Sequence, residues 1–293
     1  MNPRLIMTSI TPYGQTGPYR NYKAYDLTLQ ASGGLMYVSG DPDRPPVRIS
    51  FPQAYFHASL HGAVGTLIAH HFREITGEGQ HVDISAHESV WVCCVLESYY
   101  WPTLGMIQKR AGPKIRRGPN LFREAWVCKD GQVNFRLMPG IYARSVIHLF
   151  QWMEEEGMAG DLAWARDFDK IDMYKLTQHE IDLIEKEIGD FFVKKTKAEL
   201  QKGAVERSIY LQASNTPEDI ALDEQLISRD FWVSVEHPEL QASLTYLGLP
   251  FKLSELHPIR RAPKIGEHNM DVYQEELGMS MEYLCTLKQA NII

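Results

Sequence analysis

PPVRIS at residues 45–50, FPQAYFHASLHGAVGTLIAHHFREI at 51–75 and TGEGQHVDIS at 76–85 together decide how this chain folds. They read as a loop feeding a helix, a glycine turn and a short strand. Ala54, Ala58, Ala63 and Ala69, with Gly62 and Gly65, leave little side chain on one side of that helix. A face of this kind predicts that a backbone or a ligand comes very close. Phe56, Leu60, Leu67 and Ile68 are expected to form the apolar stripe that buries the helix in a core. Thr76-Gly77-Glu78-Gly79 should end the helix, because glycine accepts positive φ. His81-Val82-Asp83-Ile84-Ser85 alternates polar and apolar, as a half-buried strand does.

Working outward, residues 4–10 are apolar and β-branched enough to predict a buried strand, and residues 11–18 follow as a loop dense in turn residues. Loops at strand ends carry ligand sites in parallel α/β sheets, so this loop is a candidate. Residues 23–36 read as a helix ending near Gly33-Gly34, and residues 87–108 as a long helix interrupted by Pro102, with Val90, Trp91, Val95 and Leu96 among its apolar positions. Residues 111–120, AGPKIRRGPN, have no periodicity and read as a linker. Beyond them the texture changes. Residues 125–137 predict a hairpin turning at Asp130-Gly131, and helices are expected over 143–156, 177–193 and 197–203. Asn215-Thr216-Pro217-Glu218-Asp219 has the makings of a helix start. Short strands are expected at 231–236 and 251–253, and helices at 270–278 and 281–289.

Composition bounds the function. The 293 residues are 44 % hydrophobic and 23 % charged, ordinary values for a globular protein large enough to bury one or two cores. Net charge is −7. The densest basic patch, Lys109, Arg110, Lys114, Arg116 and Arg117, lacks interleaved aromatics, so no nucleic-acid partner is expected. No apolar run approaches the roughly 20 residues of a membrane span, and MNPRLIMTS is too short in its apolar part for a signal peptide. The four cysteines, Cys93 and Cys94 adjacent, form neither a disulfide framework nor a metal spacing. They are expected to be buried reduced thiols in a cytoplasmic protein. His57 and His61 lie one helical turn apart but have no third ligand in sight, so no metal is expected.

The strand count does not close. Only two parallel strands, near residues 5 and 82, are offered for the long helices between them, whereas an open sheet uses roughly four to six. Either further strands precede Met1 in a longer natural chain, or another polypeptide supplies them.

SITPYGQTGPYRNYKAYDLTLQASGGLMYVSGDPDRPPVR (9–48), TGEGQHVDIS (76–85) and APKIGEHNMDVYQEELGMS (262–280) resemble the class III CoA-transferase family, which includes formyl-CoA and carnitine CoA-transferases and the α-methylacyl-CoA racemases. SNTPEDI (214–220) followed by FWVSVEHPEL (231–240) looks like the family's return segment. The resemblance covers most of 2–110 and 213–293 and is loose over 121–212. It implies an α/β fold: a Rossmann-like parallel-sheet large domain built from both chain ends (1–118 and 213–293), with a small α+β domain (119–212) inserted. It also implies two chains interlocked as a dimer, and CoA lying across the large domain with its thioester near the helix that opens at Phe51. Lys23 and Tyr25, in YKAYD, match family positions that line the CoA site. CoA or acyl-CoA would be a substrate, with no permanently bound cofactor.

The chain departs from the family in three respects. It begins where the family is already about one quarter through. No glycine run stands near Gly118-Pro119-Asn120, where formyl-CoA transferases carry one. The catalytic aspartate of the family pattern P-x-A-D-x-x-A-G-L falls on Tyr55 in Pro52-Gln53-Ala54-Tyr55-Phe56-His57-Ala58-Ser59-Leu60. That aspartate attacks the thioester and carries the acyl group and then CoA; a phenol, with a reference pKa of about 10, is protonated at neutral pH and would give an unactivated ester. The racemase pair of histidine and aspartate falls on Tyr25 and Tyr55, which disfavours racemisation. Asp26, Asp41, Asp43 and Asp83 are the carboxylates nearest in sequence, Asp26 reading as a helix-start or surface acid.

These features imply a non-catalytic subunit that supports CoA transfer between an acyl-CoA and a carboxylic acid by an aspartate-bearing paralogous partner. Heteromeric members such as succinyl-CoA:benzylsuccinate CoA-transferase pair subunits in this way, and FREAWVCKDG (122–131) resembles that branch. An autonomous acyl-CoA transferase or lyase using another residue, alone or as a homodimer, and a CoA-binding scaffold without catalysis, stand as alternatives.

Overall fold

The computed structural model describes residues 2–93, 95–160, 162–173, 175–255 and 258–293. The chain divides into two compact units, Met1–Ser214 and Asn215–Ile293.

In the first unit, β1 (Met7–Thr11) leads through an irregular loop to α1 (Asp26–Ser32), α2 (Leu35–Val38) and the 24-residue α3 (Gln53–Thr76). The chain then returns in β2 (His81–Ser85), which pairs in parallel with β1 from Met7↔His81 to Thr11↔Ser85. Gly77 ends α3 at φ +80°, donating its N–H to Arg73 O at 2.8 Å, as the glycine turn predicts. Glycine also lets α3 lie directly on the two strands. A Cβ on Gly62 would stand 2.9 Å from Ile10 Cδ1, and one on Gly65 would stand 2.8 Å from Val82 Cγ1. The Thr8 and Thr66 hydroxyls share a 2.6 Å hydrogen bond across the same contact.

The expected apolar stripe is corrected here. Ala54, Ala58, Gly62 and Ala69 are the buried face of α3, whereas Phe56, Leu60, Leu67 and Ile68 are 57–69 % exposed. Ala63 belongs to the exposed side as well. Gly62 and Gly65 permit the close approach to the strands, and Ala54 and Ala58 fit the small core beside α1 and α4.

α4 (Ala86–Cys93) and α5 (Val95–Leu104) follow, with Pro102 in the last turn of α5. Cys94 and the side chains of Val95 and Leu96 lie outside the described residues. Leu29, Ala54, Ala58, Ala86 and Val90 close a small core between α1, α3 and α4. Arg110 pins the chain after α5 to the earlier loop, donating to the carbonyls of Tyr37 (2.9 Å), Asp41 (3.2 Å) and Arg44 (3.2 Å).

The expected linker is instead a hairpin. β3 (Lys114–Arg117) and β4 (Asn120–Arg123) pair antiparallel around Gly118, whose φ is +58°. β5 (Ala125–Cys128) and β6 (Gly131–Asn134) form the anticipated second hairpin. α6 (Ala143–Glu155), α7 (Gln178–Phe192) and α8 (Lys197–Arg207) cover it, and β7 (Gln212–Ala213) joins the edge of β6. α7 and α8 start at reciprocal capping boxes, Thr177 with Glu180 and Thr196 with Glu199. Phe122, Trp126, Phe135, Leu149, Phe191 and Phe192 are among the side chains of the large core they enclose.

The second unit carries α9 (Pro217–Ala221), α10 (Glu224–Ser228) and an antiparallel pair, β8 (Trp232–His237) with β9 (Ala242–Leu247). A π-helical segment (Met270–Glu276) and α11 (Met281–Gln289) follow. The strand expected at 251–253 is irregular, and the hairpin closes with 242–247 instead, whose side chains are mostly exposed and so lack the apolar pattern of a core strand. Thr216 caps α9, accepting the Asp219 N–H, at the helix start expected there. Of the described cysteines only Cys128 is buried; Cys93 and Cys285 are exposed free thiols, against expectation.

Arg261 forks onto Glu267 at 2.6 and 2.8 Å, and Lys264 N–H reaches the same carboxylate at 2.6 Å. These bonds, the Arg261 pair foremost, pull the Glu267 carboxyl down from 4.5 to about 2. A depressed folded value gives a contribution that is complete above the unfolded value and lost as pH falls toward the folded one. The contact should therefore weaken between pH 4.5 and 2. Carboxyl-carbon NMR is expected to report the low Glu267 midpoint, and Arg261→Met to return it toward the ordinary carboxylate range. A Glu267 midpoint unchanged by that substitution contradicts the assignment.

Candidate active site

The start of α3 carries no side-chain cap of its own, because Pro52 occupies the position before the first turn. The exposed backbone donors there are met from α1. Asp26 Oδ1 accepts the Ala54 N–H at 2.9 Å, and Asp26 Oδ2 accepts Gln30 Nε2 at 2.6 Å. Gln30 also donates to Phe51 O at 3.3 Å and accepts the Ile49 N–H at 3.1 Å, which clamps the segment entering α3. Asp26 and Gln30 are buried. A carboxylate at the amino ends of α1 and α3 also lies where the helix dipoles favour negative charge.

Tyr55 stands in the first turn of α3, its ring half exposed, and its hydroxyl accepts the Asp26 backbone N–H at 3.1 Å. The same peptide puts Tyr25, the exposed residue that begins α1, beside Tyr55. Lys23 is exposed in the loop two residues earlier. The Tyr25–Asp26 peptide and the Tyr55 hydroxyl thus meet at one corner, and no contact joins Lys23 to it among the described hydrogen bonds.

Asp26 begins α1, as its helix-start reading expects, but it is buried rather than a surface acid. Both of its carboxylate oxygens are engaged in capping and clamping, so it is poorly placed to attack a thioester. Asp83 is also engaged, accepting the Gln15 N–H at 3.0 Å. Among the described residues no group of three His, Cys, Asp or Glu side chains could hold a metal, and His57 and His61 gain no third partner of that kind.

Two hollows flank this corner. One, of about 210 Å³, is walled by Ile10, Thr11, Leu29, Tyr55, Ala58 and Ala86. The other, of about 450 Å³, lies at the carboxyl ends of β1 and β2, where the loop after β1 meets the start of α4. Tyr13 packs on His87 there with centroids 5.5 Å apart, and Tyr19 stacks on Tyr22 at 4.9 Å. The loop-at-strand-end rule points to this second hollow. The Asp26–Gln30 clamp was missed; its only trace in sequence is an acid and an amide four apart at a helix start, which align on one face.

A profile of CoA-transferase family III matches residues 1–269. Over 284 residues the chain is 31 % identical to the succinyl-CoA:(R)-benzylsuccinate CoA-transferase subunit BbsE of Thauera aromatica, covering 94 % of this chain and 66 % of that one. It is 29 % identical to the succinyl-CoA–L-malate CoA-transferase beta subunit of Chloroflexus aurantiacus, covering 100 % of this chain and 71 % of that one. The chain thus spans about two thirds of the length of these relatives. A crystal structure of a CAIB/BAIF family protein from Brucella suis superposes with a TM-score of 0.71 at 24 % identity, over 94 % of this chain and 68 % of that one. That likeness concerns the mixed α/β fold alone.

Proposed function

The chain belongs to CoA-transferase family III, and from that membership we propose that it is a non-catalytic subunit supporting CoA transfer between an acyl-CoA and a carboxylic acid by an aspartate-bearing paralogous partner. The observation that carries this reading is the state of the corner at the start of α3. A phenol occupies the nucleophile position, held by the Asp26 N–H. The adjacent carboxylate is consumed in capping. Covalent relay through an acyl anhydride needs an ionised carboxylate with a free oxygen, and this corner offers none.

Two further observations support it. The relatives above are themselves described as subunits, BbsE and a beta subunit. The outer face of α3, with Leu60, Leu67, Ile68 and Ile75 each more than 60 % exposed, is an apolar surface of the kind that a partner polypeptide covers. On this reading Lys23 and Tyr25 line the CoA path, Tyr55 shapes the partner's site, and no permanent cofactor is needed. The same reading expects a Rossmann-like large domain of 1–118 and 213–293 with the 119–212 domain inserted, interlocked with its partner in the cytoplasm. Among the described residues no helix is long and apolar enough to cross a membrane.

The test is a CoA-transfer assay with succinyl-CoA as donor, on the purified chain and on the chain co-expressed with an aspartate-bearing paralogue. No transfer is expected from the chain alone, and transfer from the complex that disappears when the partner's aspartate becomes alanine. Turnover by the chain alone would sink the proposal.

A further inference from the structure

The basic run between residues 109 and 117 has no part in the corner around Tyr55. Lys109, Arg110, Lys114, Arg116 and Arg117 gather there in a chain whose net charge is −7. A hollow of about 110 Å³ opens among them, where the segment after α5 meets β3. Lys109, Lys114 and Arg116 line it, Val38 and Ile115 add apolar wall, and no acid lines it. None of these residues lines either hollow beside Tyr55.

Backbone bonds fix the frame. The Gly112 N–H reaches Gly40 O at 3.0 Å, and the Lys114 N–H reaches Ala111 O at 3.1 Å. Arg110 is engaged by the carbonyls of Tyr37, Asp41 and Arg44. Lys114 is engaged as well, its ammonium 3.0 Å from the buried Glu185 carboxylate and 3.4 Å from Asp182. Lys109 and Arg116 differ. Arg116 Nη1 donates to Pro119 O at 3.2 Å, and neither side chain has an acid in ion-pair range among the described residues. Asp41, across Gly112, is already paired with Arg44 at 3.9 Å. Lys109 is exposed and Arg116 half-buried, so a solute can reach both.

Two cations facing one small space without counter-charge repel each other, and a dianion between them removes that cost. A guanidinium matches two phosphate oxygens with parallel N–H donors, and an ammonium adds a point charge. The volume equals roughly three or four waters at about 30 Å³ each, room for a tetrahedral oxyanion and too little for a nucleobase. We infer that this hollow is a binding site for a phosphate dianion, held by Arg116 and Lys109. The dianion is either inorganic phosphate or the phosphate monoester of a larger ligand such as CoA. The inference stands apart from the proposed acyl-CoA role, because inorganic phosphate alone is the first probe.

The experiment is calorimetric titration of the intact chain at low ionic strength with inorganic phosphate, and then with CoA and 3′-dephospho-CoA. Saturable binding of one phosphate is expected. Arg116→Gln, Lys109→Gln and Gln108→Glu, the last placing an acid in the wall, should each weaken it at least about tenfold. If the natural occupant is free phosphate, CoA and dephospho-CoA bind alike. If it is the monoester of CoA, CoA binds about tenfold tighter than dephospho-CoA, and Arg116→Gln closes that gap. Phosphate binding that all three variants leave unchanged, or a CoA gap that survives Arg116→Gln, overturns the placement. Absence of both phosphate binding and a CoA gap overturns the site.

Discussion

Asp26→Ala is expected to lower the stability of the first unit by about 2–4 kcal/mol and to loosen the start of α3. Loss of a capping side chain alone costs about 0.5–2 kcal/mol. Here the deletion also strands the buried Gln30 amide and the Ala54 N–H, and each unsatisfied buried group costs about 1–3 kcal/mol, without full additivity. Because α3 has no cap of its own, nothing local replaces the lost acceptor. Asp26→Asn keeps one oxygen acceptor and should cost less, while Gln30→Leu should break the hold on Ile49 and Phe51 but spare the Ala54 bond. Urea unfolding gives the stabilities, and hydrogen exchange at Ala54 and Tyr55 locates the change. A loss below about 0.5 kcal/mol for Asp26→Ala would mean that water caps α3 as well as Asp26 does.

That residue also marks the boundary of what the sequence discloses. Periodicity and turn chemistry are local, and they place α3, β2, α6 and α7 within a residue or two. The Gly77 stop and the hairpin of 125–137 are legible for the same reason, although the turn is Lys129-Asp130 rather than Asp130-Gly131, because Gly131 already pairs with Cys128. A cap donated by one helix to the next is a tertiary relation, and nothing within α1 reveals it. The inner face of α3 was legible in its small residues but outweighed by the larger ones. Amphipathic reasoning assumes that the biggest apolar side chains face the core the chain itself provides. In this chain α3 meets the strands through Gly62, Gly65 and Thr66, and Phe56, Leu60, Leu67 and Ile68 are left outside. The misread linker at 111–120 and the misplaced strand at 251–253 have a different cause. Both are short hairpin problems, in which pairing with a neighbouring segment overrides weak intrinsic preference.

On the proposed reading, the chemistry of the corner around Tyr55 turns on the pairing that the fold supplies. A tyrosine at a nucleophile position could in principle be rescued by a nearby acid. The fold places such an acid next door and then occupies both of its oxygens. The same capping that positions the corner therefore removes its nearest alternative nucleophile.

Phe192→Ala should cost about 3–5 kcal/mol, the range for deleting a fully buried aromatic ring. Phe192 lies edge-on to Trp126 and Phe135, with centroids 5.5 and 6.0 Å away, and each such pair adds about 0.5–1.5 kcal/mol beyond burial. Phe192→Leu keeps most of the apolar volume and should lose roughly half as much. The two cores of the first unit share no buried side chain, since Leu29, Ala54, Ala58, Ala86 and Val90 form a separate cluster. Hydrogen exchange in Phe192→Ala is therefore expected to rise across β5, β6 and α7 while β1, β2 and α3 retain their protection. Equal loss of protection in both regions would instead mean that they unfold as one cooperative body. In that case the α3 corner would depend on the distant aromatic core for its rigidity, and damage at Phe192 would reach that corner without touching any residue that lines it.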